Sequence, residues 1–90
     1  MTMPASETQM AVRVLCFAQV KDALGKAEFG LRLPRGARGY DFVSRLVGEY
    51  PALKPLLEVS RLAVNGVYTS FDIVLNEGDE IVIIPPVSGG

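Results

Sequence analysis

Tyr40-Asp41-Phe42-Val43-Ser44-Arg45-Leu46-Val47-Gly48-Glu49-Tyr50-Pro51 is the longest helical pattern in the sequence, and its position between strands decides the fold. Tyr40, Val43, Leu46, Val47 and Tyr50 fall at helical spacing, and Asp41 sits where a carboxylate complements the first-turn dipole. The spacing predicts a helix from about Tyr40 to Glu49. It should stop before Pro51, because a residue preceding proline avoids the helical region. Gly48 weakens it slightly.

Strands flank this helix. Ala11-Val12-Arg13-Val14-Leu15-Cys16-Phe17 is rich in β-branched and aromatic residues. Glu28 to Leu33 alternates apolar residues at Phe29, Leu31 and Leu33. Between them, Val20 to Leu24 allows one or two helical turns, stopped at Gly25. After the helix, Lys54 to Leu57 allows another turn. Arg61-Leu62-Ala63-Val64 and Val67-Tyr68 then flank Asn65-Gly66, a strong two-residue hairpin signal. Asn76-Glu77-Gly78-Asp79 is a second turn, and Glu80-Ile81-Val82-Ile83-Ile84 is the last strand. A long helix between two hairpin-like pairs is the ubiquitin-like β-grasp pattern, an α+β layer arrangement. The expectation is a mixed four- to five-stranded sheet with one main helix packed on one face and the first and last strands side by side in the centre. Residues 10–85 form this domain, residues 1–9 a flexible leader, and residues 86–90 an extended tail.

Ninety residues suit one small domain, and an apolar content of 49% argues against disorder over most of it. The net charge is −1, from nine basic and ten acidic residues. That balance lacks the clustered basic excess of a nucleic-acid binder or a polybasic membrane anchor. No apolar run approaches the length that spans a bilayer, and the first residues do not read as a secretory signal. The cytoplasm is the expected compartment. With no histidine, the chain lacks the commonest general base and zinc ligand, so no metal site is expected. Cys16 is the single cysteine, which excludes an internal disulfide. Mid-strand, beside Val12 and Val14, it should be a buried and inert thiol. The chain has no complete active site of its own.

Alternation divides the two central strands into faces. Val12, Val14 and Cys16 share one face with Ile81 and Ile83. Arg13, Leu15 and Phe17 share the other with Glu80, Val82 and Ile84. The charged Arg13 and Glu80 mark the second face as the one turned away from the helix. Leu15, Phe17, Val82 and Ile84 then need a cover, either a loop of the same chain or a protein partner. The loops are short, which favours a partner, with Arg13 and Glu80 nearer the rim.

Pro85-Pro86-Val87-Ser88-Gly89-Gly90 closes the sequence. Two prolines fix φ and stiffen the exit from the last strand. Gly89 and Gly90 have no side chains and allow close backbone approach. From Pro86 to Gly90 the extended reach is about 16–18 Å, enough to enter a pocket in another protein. A frayed glycine-rich end has no need of two rigid prolines.

Val14-Leu15-Cys16-Phe17-Ala18-Gln19-Val20, Tyr50-Pro51, Val64-Asn65-Gly66, the run from Leu75 to Ile81, and the tail from Pro85 to Gly90 together resemble the ThiS/MoaD sulfur carriers. Within these they are most similar to the molybdopterin synthase small-subunit (MoaD) family. The resemblance implies a carrier whose Gly90 is adenylated by a ubiquitin-activating-like enzyme and then thiocarboxylated by a sulfurtransferase donor. The AMP and the thiocarboxylate are transient covalent states, and no cofactor is bound. It also implies entry of the tail into a MoaE-like large subunit, within a heterotetramer, and sulfur transfer there to cyclic pyranopterin monophosphate. Two departures stand out: the N-terminal leader is long, and Arg38-Gly39 replaces the usual Ser/Thr helix cap. Other implied possibilities are a carrier for thiazole, cysteine or tRNA thiolation, and a modifier conjugated through Gly90. Thiazole carriers are usually shorter and lack the double proline.

Overall fold

The structure is a computed structural model, and it describes residues 8–86. Five strands form one mixed sheet: β1 (Gln9–Cys16), β2 (Glu28–Pro34), β3 (Arg61–Val64), β4 (Val67–Thr69) and β5 (Glu80–Ile84). Their order across the sheet is β2-β1-β5-β3-β4. The first and last strands lie together in the centre and run parallel, while every other pairing is antiparallel. This is the ubiquitin-like β-grasp arrangement expected from the order of elements. Asn65 and Gly66 form the β3–β4 turn with φ of 52° and 83°. Positive φ at both positions is what a right-twisted two-residue hairpin requires.

The inner sheet face carries Val12, Val14, Cys16, Leu31, Leu33, Leu62, Val64, Ile81 and Ile83, all buried. The main helix, α2 (Gly39–Glu49), lays Phe42 and Leu46 on it with no exposed surface. The shorter α1 (Ala18–Leu24) adds Val20 and Leu24. A 3-10 turn (Pro51–Leu53) and α3 (Lys54–Glu58) add Leu53 and Leu57. Burying one side chain of the Phe or Leu class contributes about 1.5–3 kcal/mol, so Phe42 and Leu46 anchor α2 more strongly than its helix propensity does.

Three details differ from the sequence reading. β1 begins at Gln9, inside the expected 1–9 leader, because Gln9 pairs with Pro34 of β2. Tyr40 does not belong to the buried stripe: it is 62% exposed, and Phe42 occupies the core instead. Both phases of the pattern are apolar, and only packing against the sheet chooses between them. The strand also ends one residue early, at Cys16, and Phe17 becomes the residue that precedes α1.

The missing Ser/Thr cap of α2 has a tertiary replacement. The backbone N–H groups of Gly39 and Tyr40 donate to the carbonyls of Ile73 and Phe71, at 3.0 and 2.9 Å. Asp41 accepts from the Arg38 backbone N–H at 2.7 Å. The Arg38 guanidinium holds the same loop through the Asp72 carbonyl at 2.8 Å. Orphan donors at the helix start are thus satisfied by the loop before β5. The loop comes so close that a Cβ built on Gly39 would lie 2.7 Å from the Phe71 carbonyl oxygen. In an open helix, Gly→Ala stabilises by about 1 kcal/mol. Here the clash should reverse the sign. Gly39→Ala is expected to destabilise by about 1–3 kcal/mol in urea denaturation, and a stabilised variant would show that the loop does not rest on the helix start.

Candidate functional site

The tail is rooted on the central strand. β5 ends at Ile84, paired with Arg61 of β3, and Pro85 is half-buried where Pro86 is exposed. With φ restrained at both prolines, the chain has little freedom as it leaves the sheet. A groove beside this root is lined by Val59, Arg61, Tyr68, Ile84, Pro85 and Pro86. The Arg61 guanidinium sits 6.0 Å from the Tyr68 ring centre, within cation–π range. Val87, Ser88, Gly89 and Gly90 lie outside the described residues, and so does the expected extension of the tail.

The origin of β5 is held firmly. Asn65 and Asp79 connect the β3–β4 turn to the turn before β5. The Asn65 side-chain amide donates to Asp79 at 2.9 Å, and its Oδ1 accepts from the Glu80 backbone N–H at 3.0 Å. The buried Asp79 also accepts from the Asn76 backbone N–H at 2.8 Å. A shift of β5 by one residue would break this set, which is why its register, and so the point where Pro85 leaves the sheet, is well defined.

The register places the residues singled out in the central strands. Arg13 lies opposite Glu80, and Leu15 opposite Val82. Leu15, Val82 and Ile84 are half-buried on the face away from α2, while Phe17 is 54% exposed. Arg13 bridges two carboxylates, with Nε 3.0 Å from Glu28 and an Nη 2.6 Å from Glu80. The Glu80 hydrogen bond and then the charge of Glu28 push the Arg13 guanidinium pKa up, so this cation stays charged at any working pH. The face therefore has an apolar end near Ile84 and a charged end at Arg13.

Two further residues join the apolar end. Ala63 pairs with Val82 on one side and Tyr68 on the other, and Tyr68 is 63% exposed. The signal for them was present in the sequence. A two-residue turn at Asn65-Gly66 makes Val64 face Val67, so Ala63 must face Tyr68, and alternation then puts both on the outer face.

Cys16 is 1% exposed on the opposite, inner face. Burial pushes its thiol pKa up, opposed by the charge of Lys26. A raised thiol is a poor nucleophile at neutral pH. Among the described residues no group of three or more His, Cys, Asp or Glu side chains could hold a metal ion, and no helix is long and apolar enough to cross a membrane.

Comparison with known proteins gives consistent likenesses. Residues 14–90 match the ThiS family. The molybdopterin synthase sulfur carrier subunit of Dictyostelium discoideum is 44% identical over 81 residues, covering 87% of this chain and 94% of its own length. The solution structure of the small archaeal modifier protein 1 from Methanosarcina acetivorans superposes with a TM-score of 0.77 at 28% identity, over 91% of this chain and 98% of that one. A chain in the complex of subunits 1 and 2 of molybdopterin-converting factor from Helicobacter pylori superposes with a TM-score of 0.66 at 28% identity, over 90% of this chain and 100% of that one.

The position of Cys16 yields a two-part expectation. Cys16→Ala leaves a small cavity and should lower stability by about 1–2 kcal/mol. The thiol pKa is higher folded than unfolded, so its contribution is fully present below about pH 8.5, the ordinary thiol value. It is lost as pH rises from there through the higher folded value, because the unfolded thiol ionises first. Urea midpoints of wild type and Cys16→Ala should therefore converge above that pH. A constant gap would mean that the thiol is not desolvated.

Proposed function

The chain belongs to the ThiS family, and from that membership we propose that it is the sulfur carrier subunit of a molybdopterin synthase, working through the carboxyl group of Gly90. The observation that carries this reading is the extent of the match. It runs to residue 90, so it includes Val87, Ser88, Gly89 and Gly90 as well as the domain. The 44% identity to a named sulfur carrier subunit adds the pathway.

A carboxylate is a poor electrophile. An adenylating enzyme joins AMP to Gly90, which makes the terminal oxygen a leaving group. A sulfur donor then replaces AMP and leaves a thiocarboxylate. The loaded tail, narrow at Gly89 and Gly90 and stiff at Pro85 and Pro86, enters the large subunit. There its sulfur passes to cyclic pyranopterin monophosphate in molybdenum cofactor synthesis. Catalytic groups come from the partners, and this chain supplies the activated sulfur and its delivery. Work of this kind fits the cytoplasm, where the cofactor precursor and the activating enzyme would be met in solution.

The outer sheet face is the docking surface in this reading. Leu15, Phe17, Val82 and Ile84 form its apolar centre, with Arg13 and Glu80 towards the rim. Ala63 and Tyr68 extend the centre. The two-subunit assembly of the Helicobacter pylori relative supports a large-subunit partner for this chain, and a heterotetramer is the expected assembly. Likeness to an archaeal modifier protein supports a second reading, conjugation of Gly90 to lysines of other proteins.

Incubation with a matching adenylating enzyme, ATP and a sulfur donor should replace one oxygen of Gly90 with sulfur. Intact-mass spectrometry reads that exchange, and removal of Gly90 should abolish it without unfolding the domain. A thiocarboxylate on the truncated chain would sink the assignment. A ladder of conjugates on a denaturing gel would favour the modifier. For the docking face, Phe17→Asp puts an unpaired charge into a desolvated contact. Titration calorimetry against purified large subunit should show affinity reduced at least about tenfold, equivalent to about 1.4 kcal/mol. Equal affinities would mean that the tail alone makes the complex.

A further inference from the structure

Arg61 stands where the tail leaves the sheet. It opens β3 directly opposite Ile84, the residue before Pro85. Alternation puts it on the outer face with Ala63, while Leu62 and Val64 turn inward. Its guanidinium sits 6.0 Å from the Tyr68 ring centre. Both residues line the groove that Ile84, Pro85 and Pro86 also line.

This arginine lacks a counter-ion. Arg13, Arg35, Arg38 and Arg45 each lie 2.6 to 3.7 Å from a carboxylate. Among the described residues Arg61 has no carboxylate partner and donates no hydrogen bond, and the Tyr68 ring is its contact. Arg32 also lacks a carboxylate, but it lies opposite Ala11, at the far end of the sheet from Pro85. An aromatic face takes up none of the conventional acceptor geometry of a guanidinium. The planar fork of N–H donors on Arg61 stays open, and a carboxylate matches it bidentately.

Tyr68 and Ile84 belong to the apolar centre of the docking face, and Arg61 is on the strand between theirs. A protein that covers the two apolar side chains must also withdraw the guanidinium from water. A desolvated cation without a partner is costly. This chain brings no described carboxylate to offset that cost, so the docking protein must bring one. In the free chain such an exposed pair would be worth little, and desolvation in the contact is what makes it count.

We propose that Arg61 is a specificity-determining residue that takes an Asp or Glu carboxylate of the large subunit at the root of the tail. The inference rests on the reading of the outer face as the large-subunit contact. Apolar side chains alone accept many apolar surfaces and set no direction in the plane of the sheet. A bidentate pair beside Pro85 fixes the direction in which the tail meets the partner, and it rejects a surface that has no acid there.

Arg61→Met keeps most of the apolar stem and removes the charge. It should fold as wild type, because Arg61 is exposed and pairs with no described acid. Titration calorimetry against purified large subunit should show affinity lowered about tenfold or more, and Arg61→Glu should lower it further. Added salt should weaken wild-type binding more steeply than binding of Arg61→Met. The acid itself can be captured. Arg61→Lys, treated in the complex with a zero-length carbodiimide, should yield a peptide that joins position 61 to an Asp or Glu side chain of the large subunit. Arg61→Met binding as tightly as wild type, or more tightly, would overturn the proposal, because the guanidinium would then stay in water. A crosslink from position 61 to the Gly90 carboxylate of the same chain would overturn it too, by giving the site to the tail. Phe17→Asp separates this proposal from the docking face. If Phe17→Asp weakens binding and Arg61→Met does not, the face stands and the carboxylate site fails. If neither weakens binding, the face fails and the site fails with it.

Discussion

The parallel pairing of β1 with β5 is the constraint on which the rest depends. Two parallel neighbours cannot be joined by a tight turn, so the intervening chain must cross over, and α2 fills that crossover. The pairing is extended beyond the strands by backbone bonds, from Arg13 N–H to the Asp79 carbonyl at 2.9 Å and from Gly78 N–H to the Ala11 carbonyl at 2.8 Å. Because the strands run the same way, their C-terminal ends emerge together. Cys16 lies opposite Ile83, so Phe17 and Ile84 leave the sheet side by side. The exposed aromatic and the root of the tail are therefore neighbours for a topological reason. A protein that docks on one receives the other.

Division of labour between the two faces follows from the same pairing. The inner face takes Val12, Val14, Cys16, Ile81 and Ile83, and supplies the stability of a domain too small for a second core. The outer face keeps the ion pairs of Arg13 with Glu28 and Glu80 at one end and its apolar surface towards the tail, where Arg61, opposite Ile84, adds one charge. The exposed ion pairs of Arg13 add little to stability on their own. Their value is greater as a polar boundary that limits the apolar patch to the half of the sheet nearest Pro85.

Much of this was legible because it depends on local rules. Asn65-Gly66 demands one turn type, and that turn sets the β3–β4 register. Alternation in β1 and β5 separates the faces, since a strand has only two. The helix was legible in extent but not in phase. Phe42 and Tyr40 are both apolar, and the choice of Phe42 for the core depends on a sheet surface distant in sequence. Capping of α2 by carbonyls of Phe71 and Ile73 was hidden for the same reason. So was the positive φ of Ala18: no residue type there announces a left-handed backbone.

The most direct test of the account is a single-turnover transfer. Thiocarboxylated chain, purified large subunit and cyclic pyranopterin monophosphate are mixed without the activating enzyme or ATP, and sulfur is followed in both the carrier and the pterin. The account predicts that each carrier returns to an ordinary Gly90 carboxylate as its sulfur appears in the pterin, with two carriers consumed for each dithiolene formed. Retention of sulfur on the carrier while the complex is formed, or its release as sulfide with an amide bond formed between Gly90 and a lysine, would contradict it.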